Sequence, residues 1–194
     1  EKKKISLNLN YSTPEKKITL TWLFLSTLSS LILVSTTQQL TQSIASTPFI
    51  WLIPLILYLL SFVICFSPRK WYRRNLYAYI FLIVAFIVIA VNLPPVSLPF
   101  ALGMVIYTVF LFSAFMLCHG ELYNFKPDPR IINFYYLVIA FGGAVGGIFA
   151  GLLAPFLFSW FWEFFIGIFF VSLLAVVVLF HFEKVVGVML IALG

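Results

Sequence analysis

Charge is what this sequence has least of. Only 9% of its 194 residues are Asp, Glu, Lys or Arg, while 63% are hydrophobic and 19% aromatic. A water-soluble globule of this length needs far more polar surface than that, so lipid is the solvent to reason from. Acidic residues are scarcer than basic ones, six against twelve, which leaves a formal charge of +6. Nucleic acid is not implied, because the cations stand in short runs between apolar segments rather than along an aromatic-interleaved face.

Cysteine is nearly absent as well. Cys65 and Cys118 are the two present, each near the end of a span on the side predicted to be cytoplasmic, where a structural disulfide is not expected. No Cys-x-x-Cys pattern, Ser/His/Asp set or pair of carboxylates mid-way along an apolar run occurs. These residues therefore specify no reaction, no cofactor and no metal set.

What is abundant is apolar sequence in runs of membrane length. A hydrocarbon core of about 30 Å takes roughly 20 helical residues, so the chain accommodates about six spans with short connections. The runs 18–45, 48–66, 76–91, 98–118, 131–158 and 162–180 predict an all-α polytopic transmembrane bundle within residues 18–182. Pro94-Pro95 stops the third run, since proline lacks an amide donor and restricts the residue before it. Pro127-Asp128-Pro129 makes a turn, and Trp160, Phe161 and Trp162 mark an interface. Residues 1–17 form a basic segment without an initiator Met or a signal peptide. The apolar run Val185 to Leu193 is too short to span, so 183–194 reads as the start of a further, truncated segment and the chain as a fragment.

Lys and Arg test the threading. Five lie in 1–17, four in 68–74, two in 119–130 and one in the last tail, while the loops near 43–48, 92–97 and 159–161 carry none. The positive-inside bias then places both termini in the cytoplasm.

Within the spans, Gly142, Gly143, Gly146, Gly147 and Gly151 lie mid-way along an apolar run, without the strand-to-helix turn of a nucleotide site. Gly143, Gly147 and Gly151 share one face at a spacing of four; with Gly142, Gly146 and Ala150 alongside, they predict a groove for another helix. The alternative is a glycine-lined ligand path or hinge. On the first span Thr19, Ser26, Ser30, Thr37 and Thr41 share a second face. Gln38, Gln39 and Gln42 add amides near its outer end, to be satisfied by helix packing and backbone or by a polar cavity.

Ionisable groups in a bilayer are costly and are functional candidates by default. Here they keep to the rims. His119-Gly120-Glu121 and His181-Phe182-Glu183 close the fourth and sixth spans, and Glu163 opens the sixth, as a solvated or helix-N-terminal carboxylate. Two His-x-Glu pairs could converge on a metal or haem, or serve as interfacial hydrogen-bonding residues. The candidate ligand-binding residues are His119 and Glu121, with Arg130 as their partner across the loop, and Gln38, Gln42 and Glu163 on the opposite side.

Several stretches carry a resemblance: Pro48-Phe49-Ile50-Trp51-Leu52-Ile53-Pro54-Leu55 on to Tyr58-Leu59-Leu60-Ser61-Phe62, then Cys118-His119-Gly120-Glu121-Leu122, Pro127-Asp128-Pro129-Arg130, and Phe141-Gly142-Gly143 through Gly147 to Ala154-Pro155. Over about residues 20–165 the chain resembles the membrane portion of bacterial fused transporter (MFS-like)/spermidine-synthase-like proteins. The resemblance implies a multi-pass inner-membrane module attached to a cytoplasmic aminopropyltransferase-like domain, which this stretch does not include. It therefore leaves enzymatic activity open. Its partners would be the lipid bilayer and that fused or associated domain, with polyamine-type chemistry nearby and any small-molecule ligand unspecified. The expected function is anchoring, with passage of the domain's substrate or product as an added role. The alternatives are a small-molecule transporter segment and a metal- or haem-binding membrane subunit.

Overall fold

A computed structural model describes residues 16–43, 49–67, 71–92 and 99–193; the side chains of 42, 43 and 181–193 lie outside that description. The described chain is helical throughout: α1 (Lys16–Ser43), α2 (Leu52–Phe66), α3 (Arg74–Asn92), α4 (Phe100–Asn124), α5 (Ile132–Ile148), α6 (Ala154–Leu157) and α7 (Trp162–Leu193). A short 3-10 turn precedes α5, and a π-helical turn (Phe149–Leu153) joins α5 to α6.

Five of the helical units are long and apolar enough to cross a membrane, and α2, at 15 residues, is a shorter apolar helix. Their outer faces are as apolar as their inner ones. On α3, Ala78, Phe81, Ala85 and Val88 are buried, while Tyr79, Ile83 and Phe86 face outward. Such a helix is stable only where its outside also meets hydrocarbon. The protein is thus an all-helical, multi-pass membrane bundle.

Contact registers fix the direction of each helix. Residue numbers rise together where α1 meets α5, from Thr27 at Gly142 to Val34 at Gly151, so the two are parallel. The same holds for α2 on α4, from Tyr58 on Phe115 to Phe66 on Tyr123. Numbers oppose where α3 meets α4, with Arg74 at Glu121 and Asn92 at Tyr107. They oppose again for α1 and α7, with Phe24 at Phe170 and Ile32 at Gly167. The chain therefore runs alternately up and down, and Lys16, Lys17, Arg73, Arg74, Lys126 and Arg130 all come to one end of the bundle.

Helices α1 and α4 form the centre. Residues Ser113 to Leu122 of α4 are buried without a break, because α1, α2, α3 and α7 surround them. Close packing of α1 on α5 depends on glycine, as the predicted groove requires, and of its two stripes it is 142/146/150 that is pressed. Gly142, Gly146 and Ala150 are the buried positions. A Cβ at Gly142 or Gly146 would overlap the α1 backbone at Leu23 or Thr27, whereas Gly143 has nothing near it and Gly147 and Gly151 make ordinary contacts. The small-residue face thus centres on 142/146/150, and Thr27 Oγ1 crosses it to donate to the Gly142 carbonyl at 3.0 Å.

The predicted hydroxyl stripe of α1 is mostly turned back on its own helix. Ser26, Thr37 and Thr41 donate to the carbonyls of Trp22, Leu33 and Thr37, which satisfies each hydroxyl within the helix. Helix α7 continues past Phe180, where the sixth span was expected to end, as one helix to Leu193.

A buried polar hub at the cationic end

The Cys118-His119-Gly120-Glu121-Leu122 block, expected at an interface, lies instead in the fully buried part of α4. His119 and Glu121 are each 1% exposed. Each residue of the block addresses a different neighbour, because successive helical positions are turned by about 100°.

Glu121 faces α3 and the strand of chain before it. Arg74 grips its carboxylate with two charge-assisted bonds, Nε to Oε1 at 2.8 Å and Nη2 to Oε2 at 2.5 Å. The Tyr72 hydroxyl donates to Oε1 at 2.9 Å, and Asn124 Nδ2 adds a bond at 3.2 Å. Burying one carboxylate costs several kcal/mol unless its lone pairs are occupied, and here four donors occupy them. Burial first, and then the neighbouring Glu121 carboxylate, push the Tyr72 hydroxyl above its ordinary pKa of 10.0. It therefore stays a proton donor to that carboxylate.

Gly120 makes this geometry possible. A Cβ there would meet the Tyr72 ring atoms at 2.5 Å, so only glycine lets the ring lie flat on α4 and deliver its hydroxyl to the next residue. The Leu122 carbonyl accepts from Tyr135 of α5 at 2.7 Å, and the Phe125 carbonyl accepts from Trp22 of α1 at 2.8 Å. Trp22 and Tyr135 pack edge to face, with ring centroids 5.0 Å apart. Within about two turns, α4 is tied to α1, α3 and α5.

His119 adds α2. Its Nδ1 lies 2.9 Å from Ser61 Oγ, and Ser61 donates its own proton to the Tyr58 carbonyl at 2.8 Å. That chain of bonds assigns the ring proton to Nδ1 and leaves Nε2 as an acceptor. Tyr58, Phe62 and Phe115 wall the imidazole at centroid distances of 4.8, 5.2 and 6.1 Å. Nε2 is buried there with no hydrogen-bond partner among the described residues. One turn along α2, Cys65 Sγ rests against Met116 Sδ at 3.7 Å.

Other predicted site residues lie elsewhere. Arg130 is not the partner of Glu121: it is exposed and sits 3.9 Å from Asp128, whose carboxylate also caps the Arg130 amide. Arg74 holds the expected place because α3, not the loop after α4, packs along α4. The Trp71-Tyr72-Arg73-Arg74 stretch, from the cationic 68–74 loop, thus supplies the two strongest contacts of the hub. His181 and Glu183 fall outside the described side chains. Among the described residues no group of three His, Cys, Asp or Glu converges as a metal set would require.

At the far end Glu163 lies in the first turn of α7 and is buried, with 4% of its surface exposed. Gln38 lies against the π turn after α5, where its Nε2 donates to the Ala150 carbonyl at 3.3 Å. That carbonyl is free for a local reason. The Ala154 amide reaches back five residues to Phe149, and Pro155, next in line, has no amide to offer. Gln38 Oε1 and Thr36 Oγ1 are buried there without hydrogen-bond partners among the described residues. Gln39 donates to Asn92, which also bonds Tyr107. Gln42 is in α1, but its side chain lies outside the described residues.

Comparison of the chain with family models, curated proteins and solved structures returns no match.

Proposed function

We infer that this chain is the integral membrane module of a spermidine-synthase-like fusion protein, seated in a bacterial inner membrane with both ends cytoplasmic, and that it anchors a cytoplasmic aminopropyltransferase-like domain. Beyond the sequence resemblance, the supporting observation is the hub itself. At the end that gathers the described cations, four donors saturate Glu121, and its neighbours tie α1, α2, α3 and α5 to α4. A saturated carboxylate offers nothing to a passing ligand and much to a rigid base, since buried, fully paired networks fix one arrangement. Scaffolding on the cationic side follows from that more directly than transport does. Passage of the domain's substrate or product is an added role for the same module.

A small-molecule transporter segment is the second reading. Its support is at the far end, where Gln38 and a π turn interrupt an otherwise apolar helix pair, an arrangement that recurs at functional sites.

Co-expression tests the anchoring role. An aminopropyltransferase-like domain produced alongside this chain should sediment with membranes when the chain is present and remain in the supernatant when it is absent. A domain that stays in the supernatant in both cases removes the anchoring reading.

A further inference from the structure

Lys16 and Lys17 open α1 at the cationic end, both exposed, in a first turn without an acidic residue. Among the described residues the ion pairs are Arg74 with Glu121 and Arg130 with Asp128. Both carboxylates described at this end are thereby used, and neither pairs with Lys16 or Lys17. The two lysines continue, at helical spacing, the stripe formed by Leu20, Leu23, Phe24 and Thr27.

That stripe floors a cleft. Helices α5 and α7 flank α1 on opposite sides, and each packs on α1 far more than on the other. Thr27 bonds Gly142 of α5 on one side, while Phe24 meets the Phe170 ring of α7 at 5.7 Å on the other. Along this face of α1 lies an open apolar space of about 430 Å³ whose described lining, Leu20, Thr21, Leu23, Phe24 and Thr27, is all on α1. Thr21 spends its hydroxyl on the Lys17 carbonyl at 2.9 Å, so it presents mainly its methyl to this space. The volume falls within the range of small-molecule clefts, about 300–1,000 Å³.

We propose that this cleft is a binding site for an anionic phospholipid, with an acyl chain lying along Leu20, Leu23 and Phe24 between α5 and α7 and the phosphate headgroup held by Lys16 and Lys17. The occupant has to be apolar along its length and anionic at the cationic end, and it has to be present in the bilayer. An acidic phospholipid meets all three conditions, and basic pockets between spanning helices bind such headgroups.

The test uses the purified chain in nanodiscs and native mass spectrometry, with phosphatidylglycerol and phosphatidylcholine as probes. Phosphatidylglycerol should remain bound after mild detergent release, and phosphatidylcholine should not. Lys16→Ala with Lys17→Ala should weaken phosphatidylglycerol retention roughly 20-fold, at an electrostatic gain typical of two lysines near a membrane surface. Leu20→Trp, which fills the cleft while keeping both lysines, should also abolish retention. Lys126→Ala with Arg130→Ala removes equal charge from the same end and should change nothing. Equal loss from both charge pairs would mean a diffuse surface effect and overturn the site, as would retention without headgroup preference. Disulfide capture of Leu20→Cys between two copies would give the cleft to a second protein chain and overturn it too.

Discussion

The two ends of this bundle differ in how their buried polar groups are held: four donors converge on Glu121 at the cationic end, and single hydrogen bonds link the helices at the far end. At the cationic end a carboxylate, an imidazole and two hydroxyls meet a half-buried guanidinium where α4 is most enclosed; the carboxylate is fully paired, while His119 Nε2 and Asn75 Oδ1 have no hydrogen-bond partner among the described residues. At the far end the buried carboxylate of Glu163 is accompanied by amides and hydroxyls spread over α1, α3 and α4, and Gln38 Oε1 and Thr36 Oγ1 have no hydrogen-bond partner among the described residues. A carboxylate buried in hydrocarbon must be matched at close range, so the four donors around Glu121 hold one arrangement. An amide costs less than a charge to leave half-satisfied, and the far end's amides lie beside a helix that is widened at its π turn.

If that difference is real, the cationic end should break hardest. Arg74→Ala strands the buried Glu121 carboxylate, and the expected loss is about 3–5 kcal/mol, read from denaturant unfolding in micelles. Arg74→Ala combined with Glu121→Gln should recover part of it, because the uncompensated charge is gone. A loss below about 1 kcal/mol would mean that the pair is screened as a surface bridge is. Next come the close approaches. Gly120→Ala pushes the Tyr72 ring off α4, at an expected cost of about 1–3 kcal/mol, and Gly142→Ala should cost similarly against the α1 backbone. Gly143→Ala, with open space around it, should be near neutral by the same measurement.

The far end should give less. Gln38→Leu frees the Ala150 carbonyl from its side-chain donor, and about 0.5–1 kcal/mol is the expected loss for one interhelical hydrogen bond in a bilayer. A larger loss would make the π turn as rigid as the hub. The smallest effect concerns pH. Because the Tyr72 pKa is raised on folding, its contribution is fully present below the unfolded value of 10.0 and is lost as pH climbs beyond it. The thermal midpoint of the intact protein should therefore fall more steeply than that of Tyr72→Phe as pH rises from 10 to about 11. Parallel slopes would show that the hydroxyl titrates without consequence for the hub.

Much of the fold was readable in the sequence, because membrane helices announce themselves as apolar runs and the loop cations keep to alternate connections. What stayed open or failed did so where the answer lay on another helix. Gly142 and Gly143, like Gly146 and Gly147, stand in doublets, so either member extends a spacing of four; Leu23 and Thr27 of α1 decide which stripe is pressed. Glu121 needed a cation, and both Arg74 and Arg130 lie at the correct end. The choice falls to Arg74 because Ala78, Phe81 and Ala85 dock α3 along α4. One signal pointed there: a glycine between His119 and Glu121, in a helix of bulky neighbours, leaves a flat place where an aromatic ring can lie. The resemblance rests on the same block, and the sequence carries no clue to how the Ala150 carbonyl is satisfied until Pro155 is placed five residues beyond it.

The claim on which the rest depends is that the hub and the cations share one face of the membrane, and that this face is cytoplasmic. Lys126→Cys and Trp160→Cys, treated in intact cells with a membrane-impermeant maleimide, test it most directly, since the native Cys65 and Cys118 are buried. Labelling should occur at position 160 and be absent at 126 until the cells are opened. Labelling at both positions in intact cells, or at 126 alone, would contradict the account.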